Sequence, residues 1–138
     1  MVSRRLSREA GHRRKFLAIV DNTPESERAI AYAAWRARST GGALVLLYVV
    51  ETADFQQWLG VEQIMREEAE TAARTALDGH AARVREKAGI EPELVVREGG
   101  AAEEIHKLIE EDQDIAILVL AAGGAKEGPG PLVASVAG

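Results

Sequence analysis

The feature that most constrains this chain is the alternation of short apolar runs with longer stretches in which apolar residues recur at helical spacing. The apolar runs occupy residues 16–20, 43–50, 94–96 and 115–120. Continuous runs of this kind are typical of strands that are buried on both faces of a parallel sheet. The alternation therefore predicts an α/β fold, an open parallel sheet with helices on both faces and right-handed crossovers.

Three helices are predicted between these strands. The first begins after Thr23, a capping residue, with Pro24 at its first position. A longer helical pattern runs over residues 61–88, and Gly89 terminates it. The third helix covers residues 102–111. Each helix would pack an apolar stripe against the sheet.

Length and composition limit the organisation of the chain. At 138 residues, 46% of them hydrophobic, the chain supports one packed core. Residues 1–14 are rich in arginine and predicted to be a basic, disordered leader, and residues 15–138 a single domain. The longest apolar runs have eight residues, and a membrane-spanning helix needs about 20. With no cysteine and no signal-peptide core, we expect a cytoplasmic protein without a membrane partner.

Net charge disfavours nucleic acid as a partner. The chain carries a net charge of -5 although its leader is basic, so the remaining body is strongly acidic. An acidic body repels a phosphate backbone, and the leader has no aromatic residue that could stack on bases.

A glycine-rich loop, AAGGAKEGPGP, occupies residues 121–131 directly after the last apolar run. Glycines let backbone N–H groups approach a phosphate closely, and a helix that follows offers unpaired N–H donors. Loops rich in glycine and proline are also common as plain connections between a strand and the following helix. The loop by itself leaves both interpretations open.

The expected sheet topology favours the phosphate interpretation. Asp21 ends the first strand, Val49 lies at the end of the second, and Gly124 lies in the loop after the fourth. In open parallel sheets, ligands bind at the carboxyl ends of strands where the strand order reverses. A strand order of 3-2-1-4 places the three residues in one cleft, and we predict that order.

The residues themselves are similar to a known family. Three features together resemble the universal stress protein family over residues 14–136. They are the pattern Asp21-x-Thr23-x-x-Ser26-x-x-Ala29 after the first strand, residues 47–50 closing the second, and the loop after the fourth. The resemblance implies a nucleotide-responsive binding module that acts as a cytoplasmic homodimer in the stress response. It implies ATP or another adenine nucleotide as the ligand, with Mg²⁺ accompanying it.

In the nucleotide-binding members, the loop motif is glycine, two residues, glycine, nine residues, glycine and then Ser or Thr. The corresponding positions in this chain are Ala121, Gly124, Ala134 and Ser135. A methyl group at either alanine occupies space through which phosphate oxygens would approach the backbone, so any ATP binding is predicted to be micromolar or weaker. Gly123 is placed to substitute for the missing first glycine.

The resemblance assigns roles to individual residues. Asp21 would accept a hydrogen bond from the adenine or ribose, Val49 would contact the base, and Gly124 with Ser135 would hold the phosphates. The predicted cofactor-binding residues are Asp21, Thr23, Val49, Ala121, Gly123, Gly124, Ala134 and Ser135. Asp21 could instead only cap the turn after the first strand, and Ser135 could be an ordinary exposed helix residue.

Residues that would indicate an enzyme are missing from the sequence. There is no Gly-Lys-Ser/Thr phosphate loop and no Gly-x-Ser-x-Gly nucleophile motif, so no catalytic residue is assigned. His12, His80 and His106 are isolated from one another, and we expect them to be surface histidines rather than metal ligands. Two alternatives stay open: a family member that binds no nucleotide and acts as a protein-interaction module, and a weak nucleotide hydrolase.

The C-terminus carries a further expectation. Family members that resemble this chain continue after the loop with a full helix and a fifth strand, whereas this chain ends at Gly138. An uncovered apolar edge strand is an open template for pairing. We therefore expect either a truncated domain or a second chain that covers the strand over residues 115–120.

Overall fold

A computed structural model of the chain describes residues 13–21, 23–51 and 62–121. The elements follow one another as β1 (Lys15–Ile19), α1 (Pro24–Thr40), β2 (Ala43–Val50), α2 (Glu62–Ala88), β3 (Glu93–Glu98), α3 (Ala101–Glu111) and β4 (Ile115–Val119). Each predicted strand and helix is present within one or two residues of its predicted bounds. The expectations about residues 1–12 of the leader, the glycine-rich loop beyond residue 121 and the C-terminus lie outside the described residues.

The four strands form one parallel sheet in the order β3-β2-β1-β4, as predicted. In its register, Ala18 of β1 lies opposite Leu46 of β2 and Val119 of β4. The chain winds outward from β1 to β2 and β3, then returns to place β4 on the other side of β1. The strand order therefore reverses at β1.

Both faces of the sheet are buried, because alternate side chains of each strand enter different clusters. One cluster lies under α1 and α2 and contains Phe16, Ala18, Leu44, Leu46, Ile30, Ala33, Leu77 and Val84. The other lies under α3 and contains Leu17, Ile19, Val45, Leu47, Ile105, Leu108 and Ile115. This two-sided burial is why the strands read as continuous apolar runs.

Local sequence sets the ends of the helices. Thr23 caps α1, since its Oγ1 accepts a hydrogen bond from Ser26 N at 3.2 Å, and Pro24 follows at the first helical position. Gly41 and Gly89 end α1 and α2 with a φ of 69° each, a left-handed conformation that favours glycine. None of the helices in the described ranges is long and apolar enough to cross a membrane.

The amino-terminal edge of the sheet is held by a lysine at the start of β1. Lys15 Nζ lies 2.7 Å from Asp112 Oδ2 and 3.0 Å from Glu93 Oε2. Asp112 follows α3 just before β4, and Glu93 begins β3. One cation thereby joins segments that lead into strands on both sides of β1.

Candidate functional site

The carboxyl ends of three adjacent strands lie at one edge of the sheet. Ile19 lies opposite Leu47, and Ala18 lies opposite Val119. Counting on from these pairs, Asp21, just after β1, lies at about the level of Val49, which still pairs with Arg97 of β3, and Ala121 follows β4 beside them. This edge is where the strand order reverses, which is the expected position of a ligand site.

A network of short-range hydrogen bonds shapes the turn after β1. Asp21 Oδ1 accepts hydrogen bonds from Thr23 N at 2.8 Å and from Thr23 Oγ1 at 2.6 Å. Asp21 therefore does cap this turn, the structural role that the sequence left open. Its second carboxylate oxygen, Oδ2, has no hydrogen-bond partner within the described part of the chain.

Ser26 positions Asp21 from inside the fold. Its side chain is fully buried, and its Oγ donates to Ile19 O at 2.9 Å and accepts from Asp21 N at 3.1 Å. The hydroxyl thus ties the end of β1 to the first turn of α1. Sequence reasoning assigned Ser26 no role, although its spacing from Asp21 and Thr23 was the available signal.

Of the other residues predicted to bind the nucleotide, three lie within the described ranges and four lie outside them. Val49 is half-buried and packs against the cluster under α3, and Ala121 is half-buried after β4. Thr23 is exposed at the start of α1. The remaining predicted residues, Gly123, Gly124, Ala134 and Ser135, lie outside the described residues, so their convergence with Asp21 stays a prediction.

A cavity of about 420 Å³ lies beside Asp21, between the start of α1 and the middle of α2. Its lining includes Thr23, Glu27, Gly79, His80 and Arg83 together with Asp21. The cavity reaches from the carboxyl edge of the sheet to α2. No residue of α2 was among the predicted site residues.

His80 is buried, so the expectation of a surface histidine is wrong for this residue. Its exposed fraction is 8%, and its Nδ1 lies 3.3 Å from Arg83 Nη2. Burial lowers the pKa of His80, and the charge of Arg83 lowers it further, while Glu27 and Asp21 act in the opposite direction. The neutral ring is therefore favoured near neutral pH.

The reason for this burial is the helical period of α2. Ala73, Leu77, Ala81 and Val84 are all buried, and His80 falls on the same face. That spacing was visible in the sequence. His106 is exposed as expected, and His12 lies outside the described residues. Among the described residues, no group of three or more histidines and acids is arranged to hold a metal ion.

Comparison with known proteins identifies the family. The profile of the universal stress protein family matches residues 12–138. The chain belongs to the universal stress protein family. No curated protein sequence matches this family member significantly.

Solved structures share the fold of this universal stress protein family member. Universal stress protein UspA from Lactobacillus plantarum is 18% identical with a TM-score of 0.76, and 89% of each chain is covered. The universal stress protein from Archaeoglobus fulgidus in complex with dAMP is 21% identical with a TM-score of 0.60, covering 90% of this chain and 89% of that one. A universal stress protein in complex with cAMP is 17% identical with a TM-score of 0.60, covering 90% and 87%. At these identities the likeness establishes the α/β fold.

Proposed function

We propose that this universal stress protein family member is a nucleotide-responsive module that binds an adenine nucleotide and acts as a cytoplasmic homodimer in the stress response. The observation that carries the proposal is the reversal of strand order at β1. It brings Asp21, Val49 and Ala121 to the same edge of the sheet, directly before a glycine-rich loop.

Asp21 and Val49 would hold the nucleoside part of the ligand. Oδ1 of Asp21 is engaged by Thr23, which fixes the carboxylate, and Oδ2 can accept from the adenine amino group or a ribose hydroxyl. Val49 offers an apolar contact to the base. Ser26 supports this arrangement by holding the backbone of Asp21 in place.

The phosphates would lie against the loop after β4. Glycines allow close approach of backbone N–H groups, so Gly123 and Gly124 are the proposed contacts, with the hydroxyl of Ser135 as a further donor. The alanines at positions 121 and 134 would weaken this part of the site.

The complexes of two structurally similar proteins with dAMP and cAMP support an adenine nucleotide as the ligand class. Mg²⁺ would enter together with a nucleotide, because phosphate oxygens and water are ligands that this ion favours. Within the described residues no cluster of acids and histidines would supply a separate metal site.

Native mass spectrometry of the purified protein, followed by calorimetry with ATP and AMP, tests the proposal. We expect co-purified or added adenine nucleotide to bind in the micromolar range or more weakly. Asp21→Asn should weaken binding several-fold, whereas Asp78→Asn, an exposed substitution on α2, should leave it unchanged. Absence of binding by both methods would refute the proposal.

The effect of the two alanines can be measured directly. Restoring glycine with the double substitution Ala121→Gly and Ala134→Gly should tighten ATP binding about tenfold or more, because each lost hydrogen bond costs on the order of 1 kcal/mol. Equal affinities of the double variant and the wild-type protein would show that the methyl groups are harmless.

A second candidate function is a protein-interaction module that binds no nucleotide. The departure of residues 121 and 134 from the glycine motif favours it, as does the use of Asp21 Oδ1 within its own turn. Failure of both the wild-type protein and the double glycine variant to bind ATP or AMP would favour this candidate. Phosphate release from ATP, compared with a protein-free control, tests for hydrolysis, which the proposal does not include.

A further inference from the structure

A second concave site lies between α1 and α2. It has a volume of about 460 Å³ and begins beside Glu27 and Arg83, whose side chains lie 3.6 Å apart. It continues to the last turns of the two helices. Its apolar lining consists mainly of Ile30, Ala34, Val84 and Ala88, all of them buried. We call this site the α1–α2 groove.

An exposed tryptophan forms one wall of the α1–α2 groove. Trp35 is 59% exposed, and its neighbour Tyr32 is 52% exposed, with the two ring centroids 6.3 Å apart. The indole of Trp35 exposes a large apolar surface to water next to the apolar floor of the groove. A flat apolar group that inserts beside it removes that surface from water, which is favourable. The wall therefore favours a ligand with an aromatic ring.

Two cations stand at the far end of the α1–α2 groove. Arg38 lies in the last turn of α1, and Lys87 lies in the last turn of α2. Neither has an ion-pair partner among the described residues, whereas Arg83, at the opposite end, lies near Glu27. Both cations are also favourable near helix C-termini, but that role does not account for an exposed tryptophan beside them.

We propose that the α1–α2 groove binds a small organic anion with a flat aromatic ring, separately from the proposed nucleotide site. The ring would lie between Trp35 and the apolar floor, and the acidic group would lie between Arg38 and Lys87. The volume of about 460 Å³ falls in the range of small-molecule sites. The unpaired cations provide charge complementarity on a chain whose net charge is -5.

A nuclear magnetic resonance titration of the full chain with naphthalene-2-carboxylate tests this proposal. The titration is repeated with the Asp21→Asn variant, so that binding at the proposed nucleotide site is separated from binding in the groove, which Asp21 does not line. We expect amide shifts over residues 30–38 and 84–88, because Glu27, His80 and Arg83 also line the cavity beside Asp21 and do not distinguish the two sites. The neutral amide naphthalene-2-carboxamide, which has the same ring, should bind at least fivefold more weakly.

Variants assign the two parts of the ligand to the groove. The double substitution Arg38→Gln and Lys87→Gln should reduce the affinity for the carboxylate to that for the amide. Trp35→Ala should weaken both probes. Arg74→Gln removes an exposed cation of α2 that does not line the groove and serves as the matched control. Circular dichroism melting of each variant verifies that the fold is retained.

Several results would overturn the proposal. These are equal binding of carboxylate and amide, unchanged affinity in the Arg38 and Lys87 double variant, or loss of probe binding in the Asp21→Asn variant. Without any probe, the amide shifts of groove residues should not depend on protein concentration. If they did, a second copy of the chain would be the occupant of the groove, and the small-molecule proposal would be wrong. Because these readouts do not depend on nucleotide binding, the two proposed sites succeed or fail independently.

Discussion

The two edges of the sheet are held together in different ways. At the amino edge, contacts join residues far apart in the chain: Lys15 reaches Glu93 and Asp112, and Arg13 donates to the carbonyl groups of Gly41 and Gly42. At the carboxyl edge, backbone hydrogen bonds also join strands, as from Val20 N to Leu47 O at 2.8 Å, but the side-chain hydrogen bonds of Asp21 and Thr23 stay within the turn that leads into α1. Side chains at the amino edge therefore contribute to strand assembly, and those around Asp21 are the ones proposed to contact a ligand.

This division has a physical reason. Long-range contacts restrict the chain and stabilise the packing of distant elements, whereas a turn bonded mainly to itself can present side chains without supporting the whole sheet. Substitutions at the amino edge should therefore change stability alone, and those at the carboxyl edge should also change binding.

The largest effect is expected for Gly42→Ala at the amino edge. An added Cβ would lie 2.5 Å from Arg14 O, and that carbonyl already accepts a hydrogen bond from Ala43 N at 2.8 Å. Because backbone must move, we expect a loss of about 3 kcal/mol in the free energy of unfolding, measured by urea denaturation. Gly79→Ala is the matched control. Its Cβ meets nothing within 4 Å, and in a helix it should stabilise by about 0.5–1 kcal/mol. An unchanged free energy of unfolding in the Gly42→Ala variant would show that the backbone at this edge is not rigid.

Ser26→Ala tests the carboxyl edge. It removes the donor to Ile19 O and the acceptor for Asp21 N from a fully buried position. We expect a loss of about 2 kcal/mol in unfolding free energy, together with weaker nucleotide binding in calorimetry. Ser39→Ala, at an exposed serine, should stay within about 0.5 kcal/mol of the wild type. If Ser26→Ala lost stability but bound nucleotide normally, the proposed link between this turn and the ligand would be wrong.

Lys15→Met should affect stability but not binding. Removing both ion pairs is expected to cost about 1 kcal/mol, with unchanged nucleotide affinity. Burial lowers the pKa of Lys15, but hydrogen bonds to Asp112 and Glu93 outweigh it, so the net pKa is above its ordinary value of 10.5. The stabilisation is therefore complete below pH 10.5 and is lost as pH rises through the higher folded-state value.

Unfolding curves between pH 7 and pH 11 measure this dependence. The wild-type protein should lose more stability above about pH 10.5 than the Lys15→Met variant. Lys87→Met is the matched control, since Lys87 is exposed near the end of α2 and has no ion-pair partner among the described residues; it should change stability by less than about 0.5 kcal/mol. A Lys15 variant that weakened nucleotide binding would contradict the division between the edges.

The smallest effect concerns His80, which lines the cavity beside Asp21. Burial and the charge of Arg83 lower its pKa below the ordinary value of 6.5. The contribution of the neutral His80 ring to the free energy of unfolding is therefore fully present above pH 6.5. It is lost as pH falls through the lower pKa that His80 has in the folded protein. His80→Gln should reduce the slope of stability against pH in this window, and the exposed control His106→Gln should retain it. Identical slopes for the wild type and His80→Gln would refute the prediction.

Much of the fold could be predicted from local sequence. The apolar runs identified the buried strands, Thr23 and Pro24 marked the start of α1, and Gly89 marked the end of α2. The strand order 3-2-1-4 then followed from the alternation and from the rule that ligands bind where the strand order reverses. Asp21 and Val49 could be placed at one edge because parallel strands end on the same side.

The sequence by itself determined which segments form strands and helices, because periodicity, capping and glycine conformation act between near neighbours. Only the tertiary structure decided that Lys15 joins segments 78 and 97 residues away, and that Glu27 of α1 lies 3.6 Å from Arg83 of α2. It also decided that the cations of α1 and α2 face one groove beside Trp35. These features depend on how separate elements pack, and packing partners are set by the whole fold rather than by the spacing of residues within one segment.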